Sequence, residues 1–250
     1  MKPLVSCGVV VLGALMALGC ATTQSKERCN VSSKMTPTGF LNKTMTVDGN
    51  TRNYVVYVPS DYDPGKKWPM VVFLHGMGER GRDGLLQTEV GIGSAIRRQA
   101  SLYPCIVVMP QCPGDTVWLN AFQHIDVAME QTLKEYSIDS SRIYLTGLSM
   151  GGYGSWAYGA LHNDVFAAII PICGGGKVSD APALAKVPIW AFHGGADSVV
   201  KPLASQSMVQ AVKEAGGNIQ YTEYPGVDHN SWDQTYRDLD VVKWLLSQKK

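Results

Sequence analysis

The chain has 250 residues, of which 45% are apolar and 17% are charged, and its formal net charge is +1. This composition is typical of a globular protein and excludes a disordered, collagen-like or coiled-coil chain. A balanced charge gives no general attraction to nucleic acid or to an anionic membrane. The length suits one large domain with a sizeable core.

The first 19 residues predict an export signal. Residues 4–18 form a nearly unbroken apolar run, shorter than the roughly 20 residues that a membrane span needs. The run ends in Ala17-Leu18-Gly19-Cys20, which resembles the lipobox of bacterial lipoproteins except that Ala17 stands where leucine is usual. We expect lipidation of Cys20. The alternative is an ordinary signal peptide that is cleaved near Ala21.

Residues 20–35 are polar and have no apolar period, so we predict a flexible tether. The protein would then be exported from a bacterial cell and anchored to a membrane only through lipid on Cys20. Without lipidation it would be periplasmic or secreted.

Four further cysteines, at positions 29, 105, 112 and 173, allow one disulfide in an oxidising compartment. The chain has no C-x-x-C pair, so the sequence supports neither a zinc knuckle nor a thioredoxin-like site.

Strand-like and helix-like segments alternate through residues 36–250. The turn signal Asp48-Gly49-Asn50 separates two strands of a predicted hairpin, 40–47 and 54–58. Short apolar runs predict buried strands at 70–74, 106–109, 143–146, 167–172, 189–192 and 219–224. Helical spacing predicts helices at 92–102, 126–136, 152–161, 203–215 and 239–246. This alternation indicates a mostly parallel sheet with helices on both faces, an antiparallel hairpin at one edge and no cap domain.

Residues 147–151 read Gly-Leu-Ser-Met-Gly and match G-x-S-x-G between a predicted strand and a predicted helix. A serine at such a sharp turn has a strained backbone, and larger residues in place of the glycines would collide with the turn. The pattern predicts Ser149 as a nucleophile. The alternative is a glycine-rich turn without chemistry.

A serine hydroxyl needs a base, and in this type of fold the acid and then the histidine follow the serine along the chain. His229 lies in the loop after the last predicted strand and can reach over the sheet, so we predict it as the base. His193 ends a strand and is predicted to be structural.

Asp197 follows the strand before the last one and is the predicted acid, which would fix the tautomer of the base. Asp228 is a rival, although it neighbours His229 and would point elsewhere. Asp180 is a weaker rival.

Residues 76–81 match G-x-G-x-x-G, a dinucleotide fingerprint. The acidic residue that this fingerprint requires at the end of the next strand is missing, because that strand ends Met109-Pro110-Gln111. We therefore predict a turn whose backbone N–H group binds an oxyanion. The donors would be the N–H groups of Met77 and Met150. A tight turn needed only for packing is the alternative.

Over residues 36–250 the chain resembles the α/β-hydrolase family. The resemblance rests on His75-Gly76-Met77-Gly78, on residues 147–151, on His193-Gly194-Gly195-Ala196-Asp197 and on Asp228-His229. More narrowly, the chain resembles secreted feruloyl esterases, acetylxylan esterases and polyhydroxybutyrate depolymerase-like enzymes, some of them labelled "predicted peptidase". The resemblance implies the α/β-hydrolase fold and an acyl-enzyme mechanism that uses no cofactor.

We therefore expect a serine hydrolase of carboxylic esters, acting on feruloyl or acetyl esters of plant polysaccharide or on similar bulky esters. Trp118 and Trp232 are candidates to stack on a substrate ring, or they pack within the fold. Glu79 and Arg80 are also candidates to contact substrate, and the alternative is that they pair with each other. The alternatives are a serine peptidase, a polyester depolymerase, a binding protein without activity and a nicotinamide enzyme. No metal and no nucleic-acid partner is expected.

Overall fold

The computed structural model describes residues 36–250. The predicted signal, the lipidation site Cys20, the tether and Cys29 lie outside the described residues. Within residues 36–250 no helix is both long and apolar enough to cross a bilayer.

Eight strands form one sheet in the order β1-β2-β4-β3-β5-β6-β7-β8. β1 and β2 form an antiparallel hairpin, β2 pairs antiparallel with β4, and every other neighbouring pair is parallel. The predicted fold class is confirmed. The strands are β1 Gly39–Val47, β2 Asn50–Val58, β3 Trp68–Leu74, β4 Ile106–Pro110, β5 Ile138–Leu148, β6 Ala168–Ile172, β7 Ile189–Gly194 and β8 Ile219–Tyr224.

Helices cover both faces of this sheet. α2, α3 and α5 pack on one face, while α1, α6 and α7 pack on the other. Between β6 and β7 the chain forms only one 3-10 turn and the four-residue α4. The helices are α1 Gly91–Arg98, α2 Phe122–Glu135, α3 Met150–Leu161, α4 Ala181–Leu184, α5 Leu203–Glu214, α6 Trp232–Arg237 and α7 Leu239–Ser247.

The central strand β3 shows how the core is divided between the two faces. All seven of its residues are buried. Val72 and Leu74 belong to the core on the face of α3, whereas Val71 and Phe73 belong to the core on the opposite face. This alternation follows from the two-residue period of a strand that is covered on both sides.

The turn of the hairpin is shorter than the sequence predicts. Val47 pairs with Asn50, which leaves only Asp48 and Gly49 in the turn, with φ values of 49° and 74°. Two positive φ values are typical of the type I′ turn, whose twist matches that of the strands. β2 therefore begins at Asn50 and not at residue 54, because pairing with β1 extends it through polar residues that carry no apolar signal.

Other predicted boundaries were also wrong, and two of them show why. The structure ends α1 at Arg98, where Gln99 leaves the helical region with a φ of −152°, and a separate 3-10 turn follows at Ala100–Leu102. β5 begins at Ile138, five residues before the predicted start, because Ile138 pairs with Trp68 across an irregularity in the register. Neither feature leaves a periodic pattern in the sequence.

Candidate active site

The turn between β5 and α3 carries Ser149 with φ 53° and ψ −114°. A non-glycine residue at positive φ is strained and persists only where its surroundings hold it. Here the N–H of Ser149 donates to the carbonyl of Ile172 at 3.0 Å, which ties the turn to the end of β6.

The two glycines of the motif are required by backbone contacts. A Cβ atom on Gly147 would lie 2.4 Å from the carbonyl oxygen of Gly151. A Cβ atom on Gly151 would lie 1.9 Å from the carbonyl oxygen of Leu74. Both contacts are with main chain, which cannot rotate away, so side chains are excluded at both positions.

The three side chains that the sequence singled out lie in one hydrogen-bonded chain. His229 Nε2 is 2.9 Å from Ser149 Oγ, and His229 Nδ1 is 2.7 Å from Asp197 Oδ2. Ser149 lies between β5 and α3, Asp197 in the loop after β7, and His229 in the loop between β8 and α6. All three loops follow the carboxyl ends of parallel strands, so they lie at the same end of the sheet.

Asp197 is held as a carboxylate despite its burial. Its Oδ1 accepts the backbone N–H groups of Val199 and Val200 at 2.9 and 2.8 Å. Burial favours the neutral acid, but the hydrogen bonds from His229 and from these two N–H groups outweigh it and hold the pKa of Asp197 below its usual value. The ionised oxygen Oδ2 therefore faces His229.

The residues considered as rivals have other partners. The Asp228 carboxylate accepts the N–H and the hydroxyl of Ser198 at 2.7 and 2.9 Å, so it points away from the imidazole of His229. Asp180 lies in the 3-10 turn before α4. His193 is fully buried, with Nδ1 2.7 Å from Ser205 Oγ and Nε2 2.9 Å from the Val200 carbonyl. The same Nε2 also lies 3.2 Å from Asp197 Oδ2.

Met77 and Met150 occupy equivalent positions in their elements. Met77 is the first residue of a 3-10 turn after β3, and Met150 is the first residue of α3. The first N–H groups of a helix have no partner within it, and they carry its partial positive charge. The backbone of Gly76 packs against Leu148, since a Cβ atom there would lie 2.9 Å from the Leu148 side chain. This places the 3-10 turn beside the serine turn.

The Arg80 side chain bonds the protein backbone. Its Nε donates to the carbonyl of Met77 at 3.1 Å, and its Nη1 donates to the carbonyl of Thr116 at 3.0 Å. These bonds join the turn after β3 to the loop after β4. No ion pair joins Arg80 to Glu79 among the residues that the structure describes.

The two candidate tryptophans have different environments. Trp118 is fully buried, and its Nε1 donates to the carbonyl of His75 at 2.9 Å. It has no accessible face on which a substrate ring could stack, and this favours the alternative that Trp118 packs within the fold. Trp232 is half-buried at the start of α6, and its ring meets the His229 ring edge to face with centroids 5.4 Å apart.

Two contributions to the site were missed in the sequence. Cys173, just after β6, has a φ of 41° and lies with its sulfur within 4.8 Å of the facing atoms of Asp197 and His229. Burial raises the pKa of this thiol to about 12, so it is protonated at neutral pH. A metal ion bound here would have to replace the proton of the thiol. It would also have to break the hydrogen bond between His229 and Asp197. Cys105, Cys112 and Cys173 are free thiols.

The second contribution to the site that was missed in the sequence is His75, which directly follows β3. It is fully buried, with Nδ1 2.7 Å from the Gly76 carbonyl and Nε2 2.9 Å from the N–H of Cys112. Burial lowers the pKa of His75 to about 4, so the imidazole is neutral at physiological pH. The position of His75 directly before the glycine-rich turn was the only signal in the sequence.

An open groove of about 840 Å³ runs along α3. Tyr153 lies at one end, one helical turn after Ser149, and its N–H donates to the Ser149 carbonyl at 3.1 Å. Leu161 lies at the other end of the helix and is mostly exposed. Phe122 and Lys177 also line the groove. Ser149, Asp197 and His229 do not line this groove, and Tyr153 is the lining residue that lies nearest to Ser149 along the chain.

A mostly parallel sheet with a serine on a strained strand-to-helix turn defines the α/β-hydrolase fold. Residues 104–240 match the Dienelactone hydrolase family, and this match covers more than half of the chain. The chain belongs to the Dienelactone hydrolase family.

Three similar proteins illustrate this relationship. A crystal structure of a thermostable esterase is 39% identical, with a TM-score of 0.76 over 84% of this chain and 63% of that one. The bifunctional acetylxylan esterase/xylanase XynS20E of Neocallimastix patriciarum is 30% identical over 64% of this chain and 23% of its own length. The feruloyl esterase module from Clostridium thermocellum, complexed with sinapinate, shares the fold at 20% identity, with a TM-score of 0.68 over 84% of this chain and 88% of that one.

The chain spans between 14% and 28% of the length of the first three curated relatives that it matches.

The backbone contact at Gly151 predicts a large loss of stability on substitution. Gly151→Ala should lower the free energy of unfolding by about 3 kcal/mol or more, because the new methyl group meets a main-chain carbonyl. Urea denaturation measures this change. Gly78→Ala is the matched control, since a Cβ atom there has no neighbour within 4 Å. Equal stability of the two variants would contradict the contact.

The neutral state of His75 predicts a pH dependence of stability. The pKa of His75 falls from its ordinary 6.5 to about 4 on folding, so between these values the unfolded chain binds a proton that the folded chain does not. The free energy of unfolding should therefore decrease as pH falls from about 6.5 to 4, by up to about 3 kcal/mol from this residue.

Urea unfolding at a series of pH values measures this slope. His75→Asn should reduce the slope, whereas His162→Asn at a partly exposed position should keep it. Identical slopes in both variants would show that His75 does not titrate in this way.

Proposed function

We propose that the protein is a serine hydrolase of carboxylic esters that works through a covalent acyl-enzyme. The observation that carries this proposal is the hydrogen-bonded chain from the Asp197 carboxylate through the His229 imidazole to the Ser149 hydroxyl. A base and a carboxylate aligned in this way are what a serine needs to become a nucleophile at neutral pH.

In the first half of the reaction, His229 Nε2 takes the proton of Ser149 as Oγ attacks the ester carbonyl. The carbonyl oxygen gains the negative charge, and the backbone N–H groups of Met77 and Met150 stabilise it. When the tetrahedral intermediate collapses, the bond to the alkoxide breaks and His229 donates its proton to that leaving group. The acyl group remains on Ser149.

In the second half, His229 takes a proton from water as the water oxygen attacks the acyl-enzyme. Collapse of the second intermediate returns the proton to Ser149 and releases the carboxylic acid. Asp197 accepts the hydrogen bond from Nδ1 throughout, so it holds the tautomer that leaves Nε2 free and stabilises the imidazolium when it forms. Every proton and acyl transfer is thus assigned to a residue of this chain.

For the substrate, we propose esters on bulky or polymeric material, with feruloyl or acetyl groups on plant polysaccharide as the favoured class. The open groove along α3 supports this proposal, because it has room for an extended chain and one of its lining residues, Tyr153, lies one helical turn from Ser149. The relatives point the same way, since one is an acetylxylan esterase/xylanase and another is a feruloyl esterase module complexed with sinapinate.

Replacing the nucleophile should abolish turnover. We expect Ser149→Ala to lower kcat for an activated ester by at least about a thousandfold, because among the described residues no other hydroxyl donates to Nε2 of His229. Ser140→Ala, at an exposed position on β5, the strand that precedes Ser149, should keep wild-type activity. An organophosphonate should label Ser149, located by mass spectrometry. A Ser149→Ala variant with a tenth of wild-type activity, or an adduct elsewhere, would refute the mechanism.

A substrate panel tests the second part of the proposal. Methyl ferulate and acetylated xylan should be hydrolysed with a kcat/KM at least about tenfold above that of a long-chain p-nitrophenyl ester. Preference for the long-chain ester, for poly(3-hydroxybutyrate) or for a peptide would overturn the proposed substrate class.

The same panel tests the groove. Leu161→Gln should raise KM for acetylated xylan and leave p-nitrophenyl acetate unaffected, because only the polymer reaches the far end of α3. Leu133→Gln on α2, also exposed but outside the groove, is the matched control.

A further inference from the structure

The mechanism above leaves one buried imidazole beside the oxyanion donors without a role. His75 has no accessible surface, and both of its ring nitrogens are in hydrogen-bond contact with main chain. Nε2 contacts the N–H of Cys112 at 2.9 Å, and Nδ1 contacts the carbonyl of Gly76 at 2.7 Å.

These two partners determine the tautomer. A backbone N–H can only donate, so Nε2 of His75 must be the unprotonated acceptor. A backbone carbonyl can only accept, so Nδ1 must carry the hydrogen and donate it to Gly76. The imidazolium is excluded by the same contacts, because a second proton on Nε2 would face the N–H of Cys112.

The carbonyl that His75 holds belongs to the peptide group that supplies an oxyanion donor. The C=O of Gly76 and the N–H of Met77 are the two ends of one planar amide, so fixing the direction of the carbonyl fixes the direction of the N–H. A hydrogen bond on the carbonyl also polarises the amide and strengthens its N–H as a donor.

We propose that His75 is a positioning residue for the oxyanion hole: its Nδ1–H holds and polarises the Gly76–Met77 peptide so that the N–H of Met77 points at the developing oxyanion. The inference rests on the proposed esterase mechanism and deepens it. His75 touches no reacting atom, and it acts only through this peptide.

The surroundings of His75 restrict its motion. Trp118 donates its indole N–H to the His75 carbonyl at 2.9 Å and places its ring edge to face on the imidazole, with centroids 5.0 Å apart. The N–H of Gly81 donates to the Cys112 carbonyl at 3.0 Å. The loop after β4 therefore contacts the imidazole at two places, through the Cys112 N–H and through the Trp118 ring. This gives the buried Trp118 a function in the site without contact to substrate.

Two variants separate the proposed bond from simple packing. His75→Phe keeps a ring against Trp118 but removes the donor to Gly76. His75→Asn keeps an N–H near the position of Nδ1. His124→Phe is the control for loss of a buried histidine, since His124 lies on α2 and neither of its ring nitrogens bonds the described protein. Each variant is titrated to its endpoint with the organophosphonate, so that kcat refers to folded, competent sites.

Removal of a direct oxyanion donor costs about 10²–10³ in kcat, so loss of its positioning should cost roughly 10–100-fold. We expect His75→Phe to show this loss at nearly unchanged KM and an unchanged pH profile, and His75→Asn to recover most of it. His124→Phe should retain wild-type kcat. Wild-type kcat in His75→Phe, equal losses in the Phe and Asn variants, or a loss shared with His124→Phe would overturn the proposal.

A measurement on the wild-type protein keeps the proposal testable if His75→Phe does not fold. Long-range ¹H–¹⁵N NMR at pH 7 should show His75 neutral and protonated at Nδ1. A proton on Nε2 would overturn the proposal. If the organophosphonate labels no site at Ser149 in the wild type, the proposed function itself fails, and that outcome is distinct from a failure confined to His75.

Discussion

The structure around the site depends on one close contact between two stretches of main chain. The turn that carries Ser149 presses Gly151 against the carbonyl of Leu74, so tightly that even a methyl group is excluded. This contact joins the end of β3 to the start of α3. It therefore sets the distance between Ser149 and the turn that begins at Met77. The strain at Ser149 is offset by the packed parallel sheet beneath it, where neighbouring strands are buried on both faces.

Two imidazoles at this edge of the sheet have opposite requirements, and the fold meets each of them differently. In the proposed mechanism His229 gains and loses a proton, and it lies between an ionised carboxylate and a hydroxyl. His75 must remain neutral, and complete burial with one donor and one acceptor keeps it so. Asp197 is a third case, because two backbone N–H groups stabilise its charge in a buried position. The protonation state of each of these three side chains is therefore set by its local hydrogen bonds and not by its residue type.

Much of the fold follows from patterns within single segments. Continuous apolar runs predicted the central strands, since a strand covered on both faces needs no alternation. The predictions failed where pairing across the sheet decides the boundary, as in the extended β5, whose Ile138 pairs with Trp68. They also failed for α6, because Trp232–Arg237 is too short to show a helical period. The sequence left the role of Trp118 open for a related reason: an indole in a loop has the same sequence signal whether it faces solvent or the core.

The sequence by itself determined the strained turn at Ser149, because only glycines at 147 and 151 permit that backbone. It also determined the chain order of serine, aspartate and histidine, because one topology brings the loops that carry them to the same end of the sheet. Tertiary structure alone decided that Asp228 points to Ser198 and that the sulfur of Cys173 lies within 4.8 Å of the facing atoms of Asp197 and His229. It also decided that His75 bonds the peptide of Met77. These are matters of direction and distance between segments far apart in the chain, and no local pattern of residues encodes them.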